Sequence, residues 1–144
     1  MCIRDSIYRS SDLGDTWDVQ EAGVETTEDL NDLVMYSEEV GYAVGDNNAF
    51  LYTTDGEEWN SRTGPAAGVD LLSVAVNDLG HVFVGAADGN LYLSKDGGAT
   101  WQAPDGQPNN SGLYDTHLCD WNTIFACGAA HGGTTVVLKG NPSS

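Results

Sequence analysis

The sequence predicts an all-β repeat fold, built from small antiparallel sheets laid down one after another. Three observations carry that expectation. Trp17, Trp59 and Trp101 recur at an even spacing of 42 residues. Each Trp closes a turn of nearly the same wording: Ser10-Ser11-Asp12-Leu13-Gly14-Asp15-Thr16-Trp17, the worn copy Thr53-Thr54-Asp55-Gly56-Glu57-Glu58-Trp59, and Ser94-Lys95-Asp96-Gly97-Gly98-Ala99-Thr100-Trp101. Each turn also follows a short apolar run, namely Ile7-Tyr8, Leu51-Tyr52 and Leu91-Tyr92-Leu93. A fixed period of that length, with one turn per period, marks a fold in which every repeat is one small sheet.

The chemistry of the turn follows from its residues. A strand ends at the Ser or Thr, and the Asp carboxylate two residues on is placed to accept backbone N–H groups of a tight turn. Gly14 and Gly98 supply the φ > 0 conformation at little steric cost. The Thr hydroxyl can return a hydrogen bond to the carboxylate, and a β-branched Thr suits the start of the next strand. The Trp adds a large apolar area and one N–H to be satisfied. This S-x-D-x-G-x-T-W wording resembles the Asp-box, or bacterial neuraminidase repeat, of β-propellers. The resemblance implies a partial β-propeller of about two complete four-stranded blades and two incomplete ones. It also implies that Ser10, Asp12, Gly14, Thr16, Trp17, Thr53, Asp55, Gly56, Trp59, Ser94, Asp96, Gly98, Thr100 and Trp101 are scaffold. Asp96→Ala and Gly98→Val are then expected to act on stability and not on activity.

Along the chain, Met1 to Ser6 match the translation of a transposon-end adapter and are set apart from the fold. On that reading the natural N-terminus lies elsewhere, and Cys2 is not a natural cysteine. Residues 7–20 form the back half of a blade, with strand Ile7 to Ser10, the turn, and an outer strand through Trp17. Residues 21–62 form a blade with strands Leu30 to Tyr36, Gly41 to Gly45, Phe50 to Thr53 and Trp59 to Arg62. Residues 25–39 offer a weak helix as the alternative. Residues 63–103 repeat the plan with Leu71 to Val76, His81 to Gly85, Asn90 to Ser94 and Thr100 to Ala103. Residues 104–144 begin with a polar loop, Pro104 to Gly112, and hold Thr116 to Cys119, Ile124 to Gly128 and Thr134 to Lys139. There Gly140-Asn141-Pro142 stands in place of the turn. The count is two, four, four and three strands. Strands this short between Gly, Asn and Asp clusters suit an all-β chain. Runs such as Leu71-Leu72-Ser73-Val74-Ala75-Val76 suit sheets covered on both faces.

Composition narrows the partners. The chain has 144 residues, 22 Asp and Glu against 5 Lys and Arg, and a formal net charge of −17. Such a chain is repelled by nucleic acid and by anionic membrane surfaces. No apolar run is long enough to span a bilayer.

Candidate chemistry is sparse. Cys119 is placed opposite Ile124, which sets Cys127 three positions farther along and out of disulfide reach; both read as small core residues. His81, His117 and His131 show no metal-ligand spacing. Strand alternation gathers the loops between second and third strands, and those between blades, at one end. That end collects Asp46, Asn47, Asn48, Asp88, Gly89, Arg62 and His131 as possible ligand-face residues. Carboxylates converging there are the oxygen ligands Ca²⁺ takes, against the plainer reading of solvated turn residues. No cofactor is otherwise expected.

The sialidases that share the Asp-box resemble one another in using three arginines on the substrate carboxylate, with a Tyr nucleophile. Beyond Ser6 this chain has only Arg9 and Arg62, so that triad cannot be assembled. From residue 7 to about 139 the chain is more similar to propellers related to photosystem assembly factors. The phrase Gly41-Tyr42-Ala43-Val44-Gly45-Asp46-Asn47, followed by Leu51-Tyr52-Thr53-Thr54-Asp55-Gly56, carries that likeness. Those factors use basic surface to meet partners, and this acidic chain departs from them. The resemblance implies an extracytoplasmic, non-catalytic binding scaffold for a protein or glycan. The alternative is a fragment of a propeller glycoside hydrolase whose catalytic residues lie outside this chain. Open blade faces are expected to make the chain self-associate.

Overall fold

The computed structural model describes residues 6–20, 26–103, 113–120, 123–131 and 134–140. Ile7-Tyr8-Arg9 is too short to hold an extended conformation alone. It gains a partner across the first turn, where β1 (Ile7–Arg9) runs antiparallel to β2 (Asp18–Gln20) with Tyr8 opposite Val19. The outer strand therefore begins after Trp17 rather than before it, because Trp17 is part of the turn.

The second sheet has the order β3 (Leu30–Met35), β4 (Gly41–Gly45), β5 (Ala49–Thr53) and β6 (Asn60–Thr63). A tight connection, Asp46–Asn48, joins β4 to β5. Every residue of β4 is buried, which requires cover on both faces of the sheet. The helix alternative for residues 25–39 gives way to β3, whose side chains alternate half-buried and exposed with the period of two that a strand dictates. The third sheet is β7 (Leu71–Val76), β8 (Val82–Ala86) and β9 (Leu91–Ser94). The fourth is β10 (Leu113–Asp120), β11 (Thr123–His131) and β12 (Thr134–Gly140).

The outer strand expected at Thr100 to Ala103 is reduced to one bridge, Leu93 with Gln102. The Trp101 side chain is committed to the second sheet. Its ring meets Phe50 of the second sheet edge-on at 5.1 Å, and its indole N–H donates to the Thr63 carbonyl at 3.3 Å. Two further expectations are corrected in the fourth sheet. Leu118, not Cys119, pairs with Ile124, because the register shifts between Leu118 and Asp120. Cys127 is an exposed free thiol, not a core residue. The loop at 104–112 and the residues after 140 lie outside the described residues.

The sheets stack face to face. Ile7 of the first packs with Ala43, Leu51 and Trp59 of the second. Tyr42, Val44 and Phe50 of the second pack with Leu71, Val74 and Val84 of the third. In the fourth sheet β10 lies against β7 and β8 with Leu113 buried, so close that a Cβ on Gly85 would press on Leu113. Hydrogen bonds reach one repeat ahead at the same seams. Asn31 donates to the Leu71 carbonyl at 3.0 Å, the Val74 N–H donates to Asp32 at 2.9 Å, and Tyr36 donates to the Asp78 carbonyl at 3.0 Å. Small antiparallel sheets, each packed on the next through an apolar seam, make this a partial β-propeller with incomplete blades.

Candidate functional site

The connections after β1, β5 and β9 carry the three S-x-D or T-x-D turns. In the first, the Ser10 hydroxyl donates to Asp12 at 2.8 Å and accepts the Gly14 N–H at 2.8 Å. Asp12 then accepts both the N–H of Thr16, at 2.8 Å, and its hydroxyl, at 2.6 Å. Gly14 has φ 96° and its carbonyl accepts the Trp17 indole N–H at 3.2 Å. The third turn repeats this. Ser94 donates to Asp96 at 2.7 Å and accepts the Gly98 N–H at 2.7 Å, while Asp96 accepts the Thr100 N–H at 2.8 Å and the Thr100 hydroxyl. In the second turn no Thr answers the carboxylate. Asp55 accepts the N–H groups of Glu57 and Glu58, each at 2.9 Å, and the Thr53 hydroxyl at 3.1 Å, while Thr53 accepts the Gly56 N–H at 3.0 Å.

These bonds favour the ionised carboxylates. The Thr16 hydroxyl, then the Thr16 N–H and the Ser10 hydroxyl, hold Asp12 down at about 2. The Thr100 hydroxyl and N–H, with Ser94, hold Asp96 at about 2. The N–H groups of Glu57 and Glu58 lower Asp55. A carboxyl with a depressed folded pKa binds its proton more readily in the unfolded chain, so its contribution is full above the ordinary value of 3.8 and disappears as pH falls through about 2. Melting midpoints followed from neutral pH downward should therefore drop most steeply between those two values. A chain carrying Asp12→Asn and Asp96→Asn should start lower at neutral pH and show a flatter acid limb. An acid limb identical to that of the parent chain would remove this account.

The opposite ends of the strands carry the β4–β5, β8–β9 and β11–β12 connections. Here Asp46 accepts the Asn31 amide at 2.8 Å. Asn47 and Asn48 have φ of 52° and 67°, the left-handed region that Asn enters more readily than most residues. The Asn47 N–H donates to Asp70 at 2.9 Å, and Asn48 accepts the Ala66 N–H at 2.9 Å. Asp88 accepts the Asn90 N–H at 2.9 Å, the Asn90 amide at 3.0 Å and the Tyr92 hydroxyl at 2.8 Å. Burial, with Asp88 as acceptor, raises the Tyr92 pKa. His131 closes β11 opposite Thr134. Asp46, Asn47, Asn48 and Asp88 hold the shape of their own loops.

Arg62 is not at this end as a free cation. Its guanidinium lies 4.0 Å over the Tyr52 ring and donates to the Gly97 carbonyl at 3.0 Å. His81 accompanies Asn77 in closing the β7–β8 turn, its N–H donating to the Asn77 carbonyl oxygen of the side chain at 2.9 Å. Among the described residues no group of three His, Cys, Asp or Glu side chains could hold a metal ion, and no helix is long and apolar enough to cross a membrane.

A groove of about 660 Å³ lies between the first two sheets, lined by Ile7, Tyr8, Arg9, Leu33, Met35 and Trp59 among others. The sequence reading passed over this groove and over Asn31, Asp32 and Asp70. A usable signal existed for two of those polar residues: Asn31 to Leu71 and Asp32 to Val74 are separated by 40 and 42 residues, close to the Trp spacing.

No family model matches the chain, and no curated protein matches it. Solved structures do. YCF48 from Cyanidioschyzon merolae superposes with a TM-score of 0.76 at 19% identity, over 96% of this chain and 45% of that one. A structure described as YCF48 bound to D1 peptide gives 0.68 at 17% identity, over 81% of this chain and 37% of that one. The extracellular domain of the putative one-component system BT4673 from B. thetaiotaomicron gives 0.59 at 12% identity, over 79% and 16%. At these identities the likeness is one of fold. The chain spans less than half the length of the solved propellers it matches.

Proposed function

We propose that this chain is part of a non-catalytic, extracytoplasmic propeller that serves as a binding or interaction scaffold, with its S-x-D turns of the Asp-box type acting as structural clasps. The observation that carries the reading is the fate of the polar side chains. At both ends of the sheets side chains that look available are engaged: Asp12, Asp96, Asp70, Asn48 and Asp88 each accept a backbone N–H of a neighbouring loop or turn residue. A catalytic site needs a nucleophile or a paired acid and base free to face a substrate. Asp46, Asn47, Asn48, Asp88 and His131 stand on the end proposed to meet a ligand, the first four through loops they keep rigid. Rigid loops lower the ordering cost of recognition. The partner class is a protein segment or a glycan. Support for a polypeptide comes from the fold likeness to a propeller described with a bound peptide, and support for export from the likeness to an extracellular domain.

Immobilised chain offered a panel of peptides and glycans should retain a subset of them, and Asn47→Ala with Asp88→Ala should weaken that retention. Purified protein should leave a fluorogenic sialoside intact. Turnover that disappears on changing Arg9 or Arg62 would show an enzyme and end the scaffold reading.

A further inference from the structure

We infer that the second and third of the S-x-D or T-x-D turns are each held shut by the outer strand of the preceding blade, through a side-chain donor at one fixed rank. This rests on the reading of the turns as structural clasps and adds what closes them. Three residues after each repeating Trp stand Gln20, Arg62 and Pro104. Gln20 lies on β2 opposite Ile7, and Arg62 lies on β6 opposite Phe50. Ile7 and Phe50 each stand three residues before the Ser or Thr that opens their own turn. The two donors therefore occupy one place in the blade.

Both reach forward to the same atom of the next turn. The Gln20 amide faces the carbonyls of Gly56 and Glu57 at 3.2 and 2.9 Å and, with its nitrogen toward them, donates to both. Arg62 donates to the Gly97 carbonyl at 3.0 Å. Gly56 and Gly97 each follow the opening Thr53 or Ser94 by three residues, and their φ values are 71° and 70°. The bonds inside each turn serve N–H groups. Thr53 accepts that of Gly56, while Ser94 and Asp96 accept those of Gly98 and Thr100. The carbonyl of the left-handed residue takes its donor from another blade. Gly56 is buried, and a buried carbonyl left without a donor costs its full desolvation.

The outside support follows the wear of the turn. The second turn has Glu58 where Thr16 and Thr100 precede Trp in the other two. There Gln20 makes two bonds, and Arg9 of the same blade also reaches the Gly56 carbonyl, at 3.5 Å, and the Glu57 carboxylate, at 3.9 Å. The third turn keeps its Thr and receives Arg62, whose guanidinium is held 4.0 Å over the Tyr52 ring. Pro104 offers no side-chain donor, and in the repeat that follows it Gly140-Asn141-Pro142 stands in place of the turn. Donor and turn are lost together.

The Trp returns the grip. Trp59 packs with Ile7, and Trp101 meets Phe50 and donates to the Thr63 carbonyl beside Arg62. The coupling thus has a direction. A change in an outer strand is felt first in the turn of the blade that follows, not in the turn of its own blade.

Amide hydrogen exchange on the purified chain, resolved by residue, tests that direction without reference to any ligand. Arg62→Leu should speed exchange of Gly98 and Thr100 by roughly threefold to tenfold, the factor one net hydrogen bond carries, and leave Gly56, Glu57 and Glu58 as they were. Gln20→Leu combined with Arg9→Leu should do the reverse. Arg62→Gln should exchange like the parent chain, because Gln20 does the same work from the same rank. Retention of slow exchange at Gly98 and Thr100 in Arg62→Leu would overturn the inference. So would acceleration spread evenly over all three turns, which a general loss of stability gives, or an Arg62→Gln chain that behaves like Arg62→Leu. Failure here would leave the scaffold reading standing, since that reading is tested by ligand retention and sialoside turnover.

Discussion

Phe50→Ala is expected to be the most destabilising single truncation in the described part of the chain, by about 3–5 kcal/mol. Phe50 is 1% exposed and belongs to the cluster that joins the second and third sheets. Its ring stacks on Tyr42 with centroids 5.9 Å apart and receives the edge of Trp101 at 5.1 Å. Truncation removes the transfer free energy of a large apolar group and leaves a cavity between two sheets that cannot both collapse into it. The stability of a repeat fold is close to a sum of unit and nearest-neighbour contributions. A residue in the seam therefore affects two blades at once. Denaturant unfolding should show a lower midpoint, with a shallower or split transition if the third sheet uncouples from the second. Trp101→Ala should be less than additive with Phe50→Ala, since each loses the contact with the other; aromatic pairs of this kind couple by about 0.5–1.5 kcal/mol. Leu13→Ala is the control, because Leu13 is fully exposed and its truncation should leave the midpoint where it was. A Phe50→Ala chain that melts like the parent would show that the seam does not join the sheets.

Much of this architecture was legible because it is written in local and periodic signals. The three Trp residues set the repeat, and the short apolar runs placed β1, β5, β7 and β9 to within a residue or so of their ends. The failures have physical causes. A fourth strand was expected at Thr100 to Ala103 because the period demanded one. Only the Leu93–Gln102 bridge forms there, a pairing length that the period alone does not set. The one-residue slip at Cys119 comes from a register shift, which a residue count cannot foresee. Cys127 was assigned to the core because small apolar residues are usually buried. Its exposure depends on whether another sheet covers that face, which is a property of the stack and not of the strand.

The loop end shows the same division. Strand alternation was enough to put Asp46, Asn47, Asn48 and Asp88 in equivalent connections. It could not show that Asp70 and Asn31 would claim Asn47 and Asp46 as partners. Side chains that look free in a sequence are engaged once neighbouring blades meet. Arg62 is the clearest case. Strand alternation gathers it at the loop end as a possible ligand-face residue, yet Tyr52 and the Gly97 carbonyl hold it as a brace between blades.

Gly98→Ala and Gly14→Ala should differ sharply although the two glycines occupy the same place in the same turn. Gly14 has φ 96° and Gly98 φ 89°, so an added Cβ costs each about 1–2 kcal/mol of left-handed backbone strain. Their N–H groups make the same bond, to Ser10 and to Ser94. Their surroundings diverge. A Cβ on Gly14 would come only within 3.7 Å of the exposed Trp17 ring, an ordinary contact, whereas a Cβ on Gly98 would run into the edge of Phe50. That ring is confined between Tyr42 and Trp101, and forcing extra volume into such a site costs about 1–3 kcal/mol more. Gly98→Ala is thus expected to cost about 2–5 kcal/mol in all, and Gly14→Ala only the backbone share. Combining Gly98→Ala with Phe50→Ala isolates the clash. With the ring gone, the added methyl has room, and the further loss from Gly98→Ala should shrink to the value measured for Gly14→Ala. Equal costs for the two glycine replacements in the parent chain, or an undiminished cost of Gly98→Ala without the Phe50 ring, would show that the third turn does not press on the seam between the blades.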